Sequence, residues 1–244
     1  MKVFATLIQN LDSTNKTTQK LVAIERFLNE ASNEDKLWLL ALFTGKRPKR
    51  AVNTALLKQW VLEVTELPEW LFIESYAAVG DLGETIALLL PNNEQASNKS
   101  LAQWMNEIVA LKEQTDDQKK SYVLNSWNNL NTTERFIFNK LLGGSFRVGV
   151  SSKTLINALA KHYQIEATAV THAIMGDWKM KEVDFDGLVT GQFTEVNKSQ
   201  PYPFCLAYAL DKNLPDLGKR TDWQIEYKWD GIRAQLIKRE NEIF

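Results

Sequence analysis

The sequence predicts a mainly α-helical chain, in which a helical domain with an internal two-fold repeat precedes the first strands of a second domain. Apolar residues recur with helical spacing from residue 1 to about residue 180, as at Val3, Leu7 and Leu11. A stretch of this helical region recurs 98 residues later. The apolar and polar alternation that is typical of strands begins only near residue 222.

Composition limits the classes of protein that this chain can represent. It has 244 residues, a net charge of −1 and a single cysteine, Cys205, so a disulfide framework and a thiolate metal cluster are excluded. His162 and His172 lie in helix-like stretches without a cysteine nearby, and we expect no metal site from them. The longest apolar run, residues 86–90, is too short to span a bilayer. We expect a cytoplasmic monomer without a membrane partner.

The repeat joins two helix-turn-helix stretches. NEDKLWLLALFTG (33–45) precedes KRPKRAVNTALLKQWV, and NTTERFIFNKLLG (131–143) precedes GSFRVGVSSKTLINAL. The matched pairs are Asn33 with Asn131, Gly45 with Gly143, Val52 with Val150, and Leu57 with Leu155. Further along the chain, Gly80-Asp81 matches Gly176-Asp177. Helical patterns are degenerate, and two unrelated stretches can align this well. The more specific interpretation is a helical domain with pseudo-two-fold symmetry.

Each copy of the repeat carries basic residues in its turn. We call residues 45–53 the first basic corner and residues 144–153 the second. The cations are Lys46, Arg47, Lys49 and Arg50 in the first corner, and Arg147 and Lys153 in the second. Each turn leads into a polar helix start, where free N–H groups favour a phosphate, and glycines such as Gly144 and Gly149 permit close approach of backbone to a groove. Two related corners would hold the two strands of one duplex, although lysine-rich turns are commonly only solvated.

Helical periodicity ends before residue 187, which predicts a helical domain over 1–186, a linker over 187–204 and the incomplete start of a second domain over 205–244. Pro201 and Pro203 favour extended backbone in the linker. Residues 222–228 alternate as a strand, Asp230-Gly231 makes a turn, and residues 232–239 read as the next strand. A turn at 240–241 would then lead into a third strand at 242–244.

The segment EYKWDGIRAQ (226–235) contains a candidate nucleophile. Glu226 and Lys228 share one face of the predicted strand, and Arg233 follows the turn. A nearby cation lowers the pKa of a lysine, and the free amine would then attack a carbonyl carbon or a phosphorus. The neighbouring arginine favours phosphorus chemistry. The alternative is a surface hairpin with solvated charges.

EYKWDGIR resembles motif I, KxDGxR, of the covalent nucleotidyltransferases, which include ATP-dependent DNA ligases, RNA ligases and mRNA capping enzymes. Glu226 and the Ala-Gln pair after Arg233 look most like the DNA ligases. LLGGSFRVGVSSKTLINALA (141–160) is similar to a segment of their helical DNA-binding domain, and PYPFCLAYAL (201–210) resembles the run that leads into their adenylation domain. The resemblance implies that the second domain is the truncated start of an α/β adenylation domain. The likeness spans nearly the whole chain and is greatest to bacterial ligases with this helical domain.

The resemblance implies a role for each matched residue. Lys228 would attack the α-phosphate of ATP and carry AMP, Glu226 would contact the adenine amino group, and Arg233 would contact the nucleotide or the nick phosphate. The helical domain would bind nicked double-stranded DNA through its minor groove, mostly by phosphate contacts. The resemblance also implies Mg²⁺ as a cofactor and a part in DNA replication, repair or recombination, with repair partners that it does not name.

Two alternatives stay open at this point. A stand-alone helical DNA-binding or scaffolding module would leave the lysine hairpin without chemistry. An RNA ligase or capping enzyme would share motif I but would give no reason for the repeated helical domain. The later motifs of the family, which supply metal-binding carboxylates, have no match in these residues, so we expect this piece alone to bind DNA weakly and not to adenylylate itself.

Overall fold

The structure is a computed structural model that describes residues 1–94, 96–144, 149–175, 178–192, 201, 213–223, 227, 231 and 234–244. Twelve α-helices and one short β-hairpin form within these residues, which confirms the mainly α-helical prediction. The helices of the first half are α1 Lys2–Asp12, α2 Thr17–Glu30, α3 Asn33–Thr44, α4 Thr54–Thr65, α5 Glu69–Val79 and α6 Leu82–Leu89. Those of the second half are α7 Leu101–Ala110, α8 Asp116–Asn128, α9 Thr132–Gly143, α10 Ser152–Tyr163, α11 Ala167–Ile174 and α12 Phe185–Thr190.

The helix ends follow the local sequence. Gly45, Gly80 and Gly144 end α3, α5 and α9 with left-handed backbone, as glycine after an apolar periodic run predicts. Gly176 also follows an apolar periodic run, from which we expect a helix end, and it lies outside the described residues. A proline is favoured in the first turn of a helix, but Pro68 is the N-cap residue of α5 and lies one position before that turn.

The two halves contain the same order of six helices. The repeated stretch already begins at α1 and α7, whereas the sequence pattern begins only at residues 33 and 131. Helices α7, α8 and α9 each begin 99 residues after α1, α2 and α3, whereas α10 and α11 begin 98 residues after α4 and α5. Ser32 and Asn131 cap α3 and α9, and Gly45 and Gly144 end them. The predicted pairs of Asn33 with Asn131 and of Gly45 with Gly143 are therefore wrong by one residue, because the second turn is one residue shorter.

Contacts between the halves are exchanged as a two-fold axis requires. Helix α3 packs on α7, and its equivalent in the second half, α9, packs on α1. In the same way α6 packs on α9, and its equivalent, α12, packs on α3. Ion pairs repeat the exchange, since Lys161 of α10 lies 3.5 Å from Glu25 of α2, and Lys120 of α8 pairs with Glu63 of α4. The halves thus form one pseudo-symmetric unit with a shared apolar core.

Buried carboxylates at equivalent positions lie where the halves meet. Asp35 and Glu134 are 99 residues apart, and each occupies the third position of its helix. Asp35 accepts a hydrogen bond from the backbone N–H of Ala102 at 2.8 Å, and Glu134 accepts one from Ser97 at 2.9 Å. Asp35 therefore binds the first turn of α7, where a helix N-terminus favours negative charge, whereas Glu134 binds the segment just before that helix.

Helices α6 and α9 approach closely around a buried amide. Asn139 is 3% exposed, accepts a hydrogen bond from the Trp127 indole at 2.8 Å and donates one to the Gly83 carbonyl at 3.1 Å. A Cβ at Gly83 would lie 3.3 Å from the Asn139 Cβ, so only glycine fits without a shift. The amide thus ties α6, α8 and α9 together.

We expect Asn139→Leu to lower the free energy of unfolding by about 2–3 kcal/mol, because it leaves the buried indole N–H of Trp127 unpaired and removes the hydrogen bond to the Gly83 carbonyl. In a thermal melt this corresponds to a fall of roughly 4–12 °C for a chain of this size. The control is Asn125→Leu on exposed α8 surface, which should change the midpoint little. Equal midpoints for the two variants would contradict this role of Asn139.

Only part of the predicted second domain is described. Residues Leu214–Leu217 and Arg220–Asp222 form short 3-10 turns, and strands β1 Lys238–Arg239 and β2 Glu242–Ile243 pair antiparallel. The turn at Glu240-Asn241 and the strand after it are as predicted. Asp222 lies in a 3-10 turn where a strand was expected, and of residues 234–239, the described part of the predicted strand at 232–239, only Lys238 and Arg239 form a β-strand. Helix α12 crosses residue 187, so helix continues beyond the predicted linker start, while the domain division itself stays a prediction.

Candidate nucleic-acid interface

The first basic corner is a turn between α3 and α4 that exposes four cations. It begins at Gly45, whose φ of 83° requires glycine, and ends at Asn53, whose side chain accepts a hydrogen bond from the Ala55 N–H at 3.0 Å. Its four exposed cations are Lys46, Arg47, Lys49 and Arg50. The turn thus presents positive charge next to the N-terminus of α4, whose first turn contains no acidic residue.

Three of these cations are available to an outside anion. Among the described residues, Arg47, Lys49 and Arg50 have no carboxylate within ion-pair distance. Lys46 differs, because its ammonium lies 4.7 Å from the centre of the Trp178 ring. Unpaired arginine and lysine side chains on one short turn are suited to phosphate oxygens.

The second basic corner follows α9 in the same way. Gly144 ends that helix with a φ of 64°, and Ser151 caps α10 by accepting a hydrogen bond from the Thr154 N–H at 3.2 Å. Gly149 also has a positive φ, 50°, and Lys153 is exposed in the first turn of α10. Helix α10 has no acidic residue in its first turn either. Arg147 lies outside the described residues, so its position in this corner stays a prediction.

The two corners touch each other. A Cβ at Gly144 would lie 3.3 Å from the Cβ of Arg50 and 3.4 Å from its Cα, so a glycine at this position allows the two turns to meet. Ser152 donates a hydrogen bond to the Phe43 carbonyl at 2.7 Å, which ties the start of α10 to the end of α3. The predicted corners are therefore parts of one continuous basic surface.

Lys20 joins this surface from helix α2, although the sequence pattern did not indicate it. Its ammonium donates a hydrogen bond to the Gly149 carbonyl at 2.6 Å and so holds the second corner against α2. Burial raises the pKa of Asp12, whereas the charges of Lys140 and Lys20 act in the opposite direction. Lys20 lies inside a helix without any turn signal, and only the tertiary fold brings it to Gly149. No feature of the sequence would have identified it.

The predicted nucleotide site cannot be placed in the structure. Glu226, Lys228 and Arg233 lie outside the described residues, and Tyr227 between the first two is exposed. Among the described residues no group of three His, Cys, Asp or Glu side chains is arranged to hold a metal ion. In the same residues no helix is long and apolar enough to cross a membrane. The assignments of ATP and Mg²⁺ therefore stay predictions.

Comparison with known proteins identifies the family. The family described as DNA ligase N terminus matches residues 1–160. A DNA ligase of Methanosphaerula palustris is 24% identical over 97% of this chain and 46% of its own length. A DNA ligase of Thermococcus fumicolans is 24% identical over 96% of this chain and 45% of its own, and one of Thermococcus onnurineus is 26% identical over 95% and 45%. The chain thus spans slightly less than half the length of these relatives.

The family match contains α1 to α9 and the first three quarters of α10, and therefore both basic corners. Because it spans well over half of the chain, it settles the family independently of the low identity to each single relative. This chain belongs to the family of the DNA ligase N terminus.

Proposed function

We propose that the chain is the duplex-binding part and the start of the adenylation part of an ATP-dependent DNA ligase that seals nicks. The observation that carries the proposal is the contact of Gly144 with Arg50, which joins two basic corners into one exposed surface. The membership in the DNA ligase N terminus family supports the same conclusion, and so does the motif KxDGxR around Lys228.

The surface is suited to DNA backbone and not to particular bases. Arg47, Lys49, Arg50 and Lys153 are exposed, have no carboxylate partner among the described residues, and lie on turns next to two helix N-termini. Such groups bind phosphates and fix orientation without reading sequence. The minor groove is about 6 Å wide, so long side chains from adjacent corners reach the phosphates of both strands.

The proposed chemistry has three steps. The uncharged amine of Lys228 attacks the α-phosphorus of ATP, loses a proton and releases pyrophosphate, which leaves AMP on the nitrogen. The 5′-phosphate at a nick then attacks the same phosphorus, and the P–N bond breaks as the lysine nitrogen takes up a proton and leaves as the amine. Finally, the 3′-hydroxyl loses a proton and attacks the 5′-phosphate, AMP departs, and the strand is sealed.

Within this scheme Glu226 contacts the adenine amino group, and Arg233 contacts the nucleotide or the nick phosphate. Mg²⁺ would offset charge on the phosphates when bound. The carboxylates that hold it are not among the residues matched here.

Binding of this chain to nicked duplex, intact duplex and single strands over a salt series tests the DNA-binding part of the proposal. Four phosphate contacts predict a log–log salt slope of roughly −3 to −4 on duplex, at about −0.9 per contact. We expect both duplexes to bind more tightly than the single strand, because phosphates of both strands are contacted. Equal binding of single strands, or a slope near zero, would contradict the proposal.

A further inference from the structure

Helix α5 exposes large apolar side chains along its outer side. Trp70 is 65% exposed and Ile73 is 50% exposed, and Ala77 is exposed one turn after Ile73. Together with Glu74 these residues occupy positions i, i+3, i+4 and i+7, which lie along one side of a helix. We call Trp70, Ile73, Glu74 and Ala77 the outer stripe of α5.

Apolar residues surround α5 on all sides, although little of the helix is buried. Of its 11 residues, only Glu69, Glu74 and Ser75 have side chains that are neither apolar nor aromatic. Phe72 is its one buried residue, and the helix packs on α6. A helix that is apolar all round is typically enclosed within an assembly. The exposure of the outer stripe is therefore unusual for a helix of this composition.

The second half shows that the fold does not require apolar residues in the outer stripe. Helix α11 begins 98 residues after α5, so Thr168 and Thr171 occupy the positions of Trp70 and Ile73. Thr168 is exposed, and the Thr171 hydroxyl donates a hydrogen bond to the Ala167 carbonyl within the same helix at 2.7 Å. The equivalent helix thus forms with polar residues at these positions. Large exposed apolar side chains that the fold does not need are typical of an interaction surface.

The sequence around α5 carries charge of one sign. Residues 59–98 contain seven Asp or Glu residues and no Lys, Arg or His, whereas the remaining residues of the chain have a net charge of +6. On α5 itself, Glu69 is paired with Lys58 at 2.7 Å. Glu74 is exposed and has no ion-pair partner among the described residues. The outer stripe therefore presents a free carboxylate beside its apolar side chains.

This charge decides which class of partner the outer stripe suits. Carboxylates repel the phosphates of DNA and of anionic lipids, and helices that lie on membranes carry Lys and Arg on their polar side. A protein surface with lysine or arginine is attracted instead. A helix also offers no free backbone edge to which an extended chain could add as a strand. The matching partner is therefore a second helix, whose side chains pack between those of α5.

We propose that the outer stripe of α5 binds an amphipathic helix of another protein, whose apolar side is flanked by lysine or arginine. Trp70 and Ile73 would pack against its apolar side chains, and the small Ala77 would allow its backbone to approach. Glu74 would pair with one of its cations. None of these residues belongs to either basic corner, so this function is independent of the proposed joining reaction.

A designed peptide serves as the probe. The sequence LKKLLKLLKKLLKL forms a helix with leucine on one side and lysine on the other. Fluorescence anisotropy of the labelled peptide, titrated with the intact chain, measures binding. The negative probe is LEELLELLEELLEL, which keeps the apolar side and reverses every charge.

We expect saturable binding of the lysine peptide in roughly the micromolar range and much weaker binding of the glutamate peptide. Trp70→Ala should weaken binding by at least about tenfold and Ile73→Ala by at least about fivefold, because a few large side chains contribute most of the binding energy at such surfaces. The control variant Val22→Ala changes an apolar residue of α2 that is 62% exposed, and it should bind as the unaltered chain does.

A second pair of variants tests the charge of the outer stripe. Glu74→Gln should weaken binding of the lysine peptide by about threefold and reduce its dependence on salt, because it removes one attractive charge without changing the shape of the surface. Glu113→Gln, at an exposed carboxylate outside residues 59–98, should leave both quantities unchanged. All of these positions are exposed, so thermal melts should show the same midpoint for every variant and the unaltered chain.

Five results would overturn the proposal. Equal binding to Trp70→Ala, Ile73→Ala and the unaltered chain would place the peptide elsewhere. Equal binding of the glutamate peptide would remove the selection for cations. A dimer in light scattering that Trp70→Ala abolishes would make a second copy the occupant. Loss of peptide binding in a protein that covers the full length of the relatives would make the rest of that protein the occupant. Duplex binding should be unchanged in Trp70→Ala, and its loss would assign α5 to the DNA surface.

Discussion

Alanine at Arg47, Arg50 and Lys153 together should weaken binding of nicked duplex by at least about 100-fold at moderate salt. Each charge-assisted hydrogen bond to a phosphate contributes roughly 1.5–3 kcal/mol, and the change removes three of them from both corners. The salt slope should also decrease by about 2–3, since each lost contact removes about 0.9. Filter binding or anisotropy over a salt series gives both quantities.

A matched variant separates local contacts from overall charge. Alanine at Lys2, Lys112 and Lys219 removes the same three charges from exposed positions on α1, after α7 and before the 3-10 turn Arg220–Asp222, outside the two corners. We expect its affinity to change by less than about threefold, because distant charges are screened beyond roughly 10 Å. Similar losses in the two variants would mean that only net charge matters, and the basic corners would lose their assigned role.

Lys228→Ala should reduce nick joining by about 10⁴-fold or more in a protein that covers the full length of the relatives. The change removes the proposed nucleophile, and losses of this scale follow removal of a covalent nucleophile. Lys228→Arg should be equally inactive, because a guanidinium cannot lose its proton to become a nucleophile. Transfer of label from α-labelled ATP to the protein measures the first step directly.

A substrate with AMP already on the 5′-phosphate provides the control. The lysine takes no part in the final attack by the 3′-hydroxyl, so Lys228→Ala should still seal this nick. Lys238→Ala, on strand β1, should keep both reactions. Label transfer to the Lys228→Ala protein at the normal rate would show that another residue is the nucleophile, and the motif assignment would be wrong.

The repeat shows how much of the fold a single sequence predicts. Helix caps are local signals, and the left-handed ends at Gly45 and Gly144 follow from them. The change from a 99-residue to a 98-residue offset was missed because one residue is lost inside a turn, where apolar periodicity provides no register. Side chains that act across the fold, such as Lys20 at Gly149 and Trp178 at Lys46, have no local signal at all.

One part of the candidate site could likewise be predicted from the sequence, and the other part depends on the tertiary fold. Basic turns before polar helix starts can be read from sequence, and Lys46, Arg47, Lys49, Arg50 and Lys153 are all exposed. That the corners touch depends on the packing of α3, α9 and α10, which sequence spacing does not determine. The chemistry around Lys228 rests on the motif alone and stays a prediction.

Replacing single phosphates of a nicked duplex with neutral methylphosphonates tests the central claim most directly, which is that both corners bind one duplex. We predict that neutral positions on both strands, facing each other across one minor groove, weaken binding. Binding by Arg50→Ala should then no longer respond to neutral positions on one strand. Binding by Lys153→Ala should no longer respond to neutral positions on the other strand. Sensitivity confined to a single strand, or shared by both variants, would contradict the claim that the two corners hold the two strands.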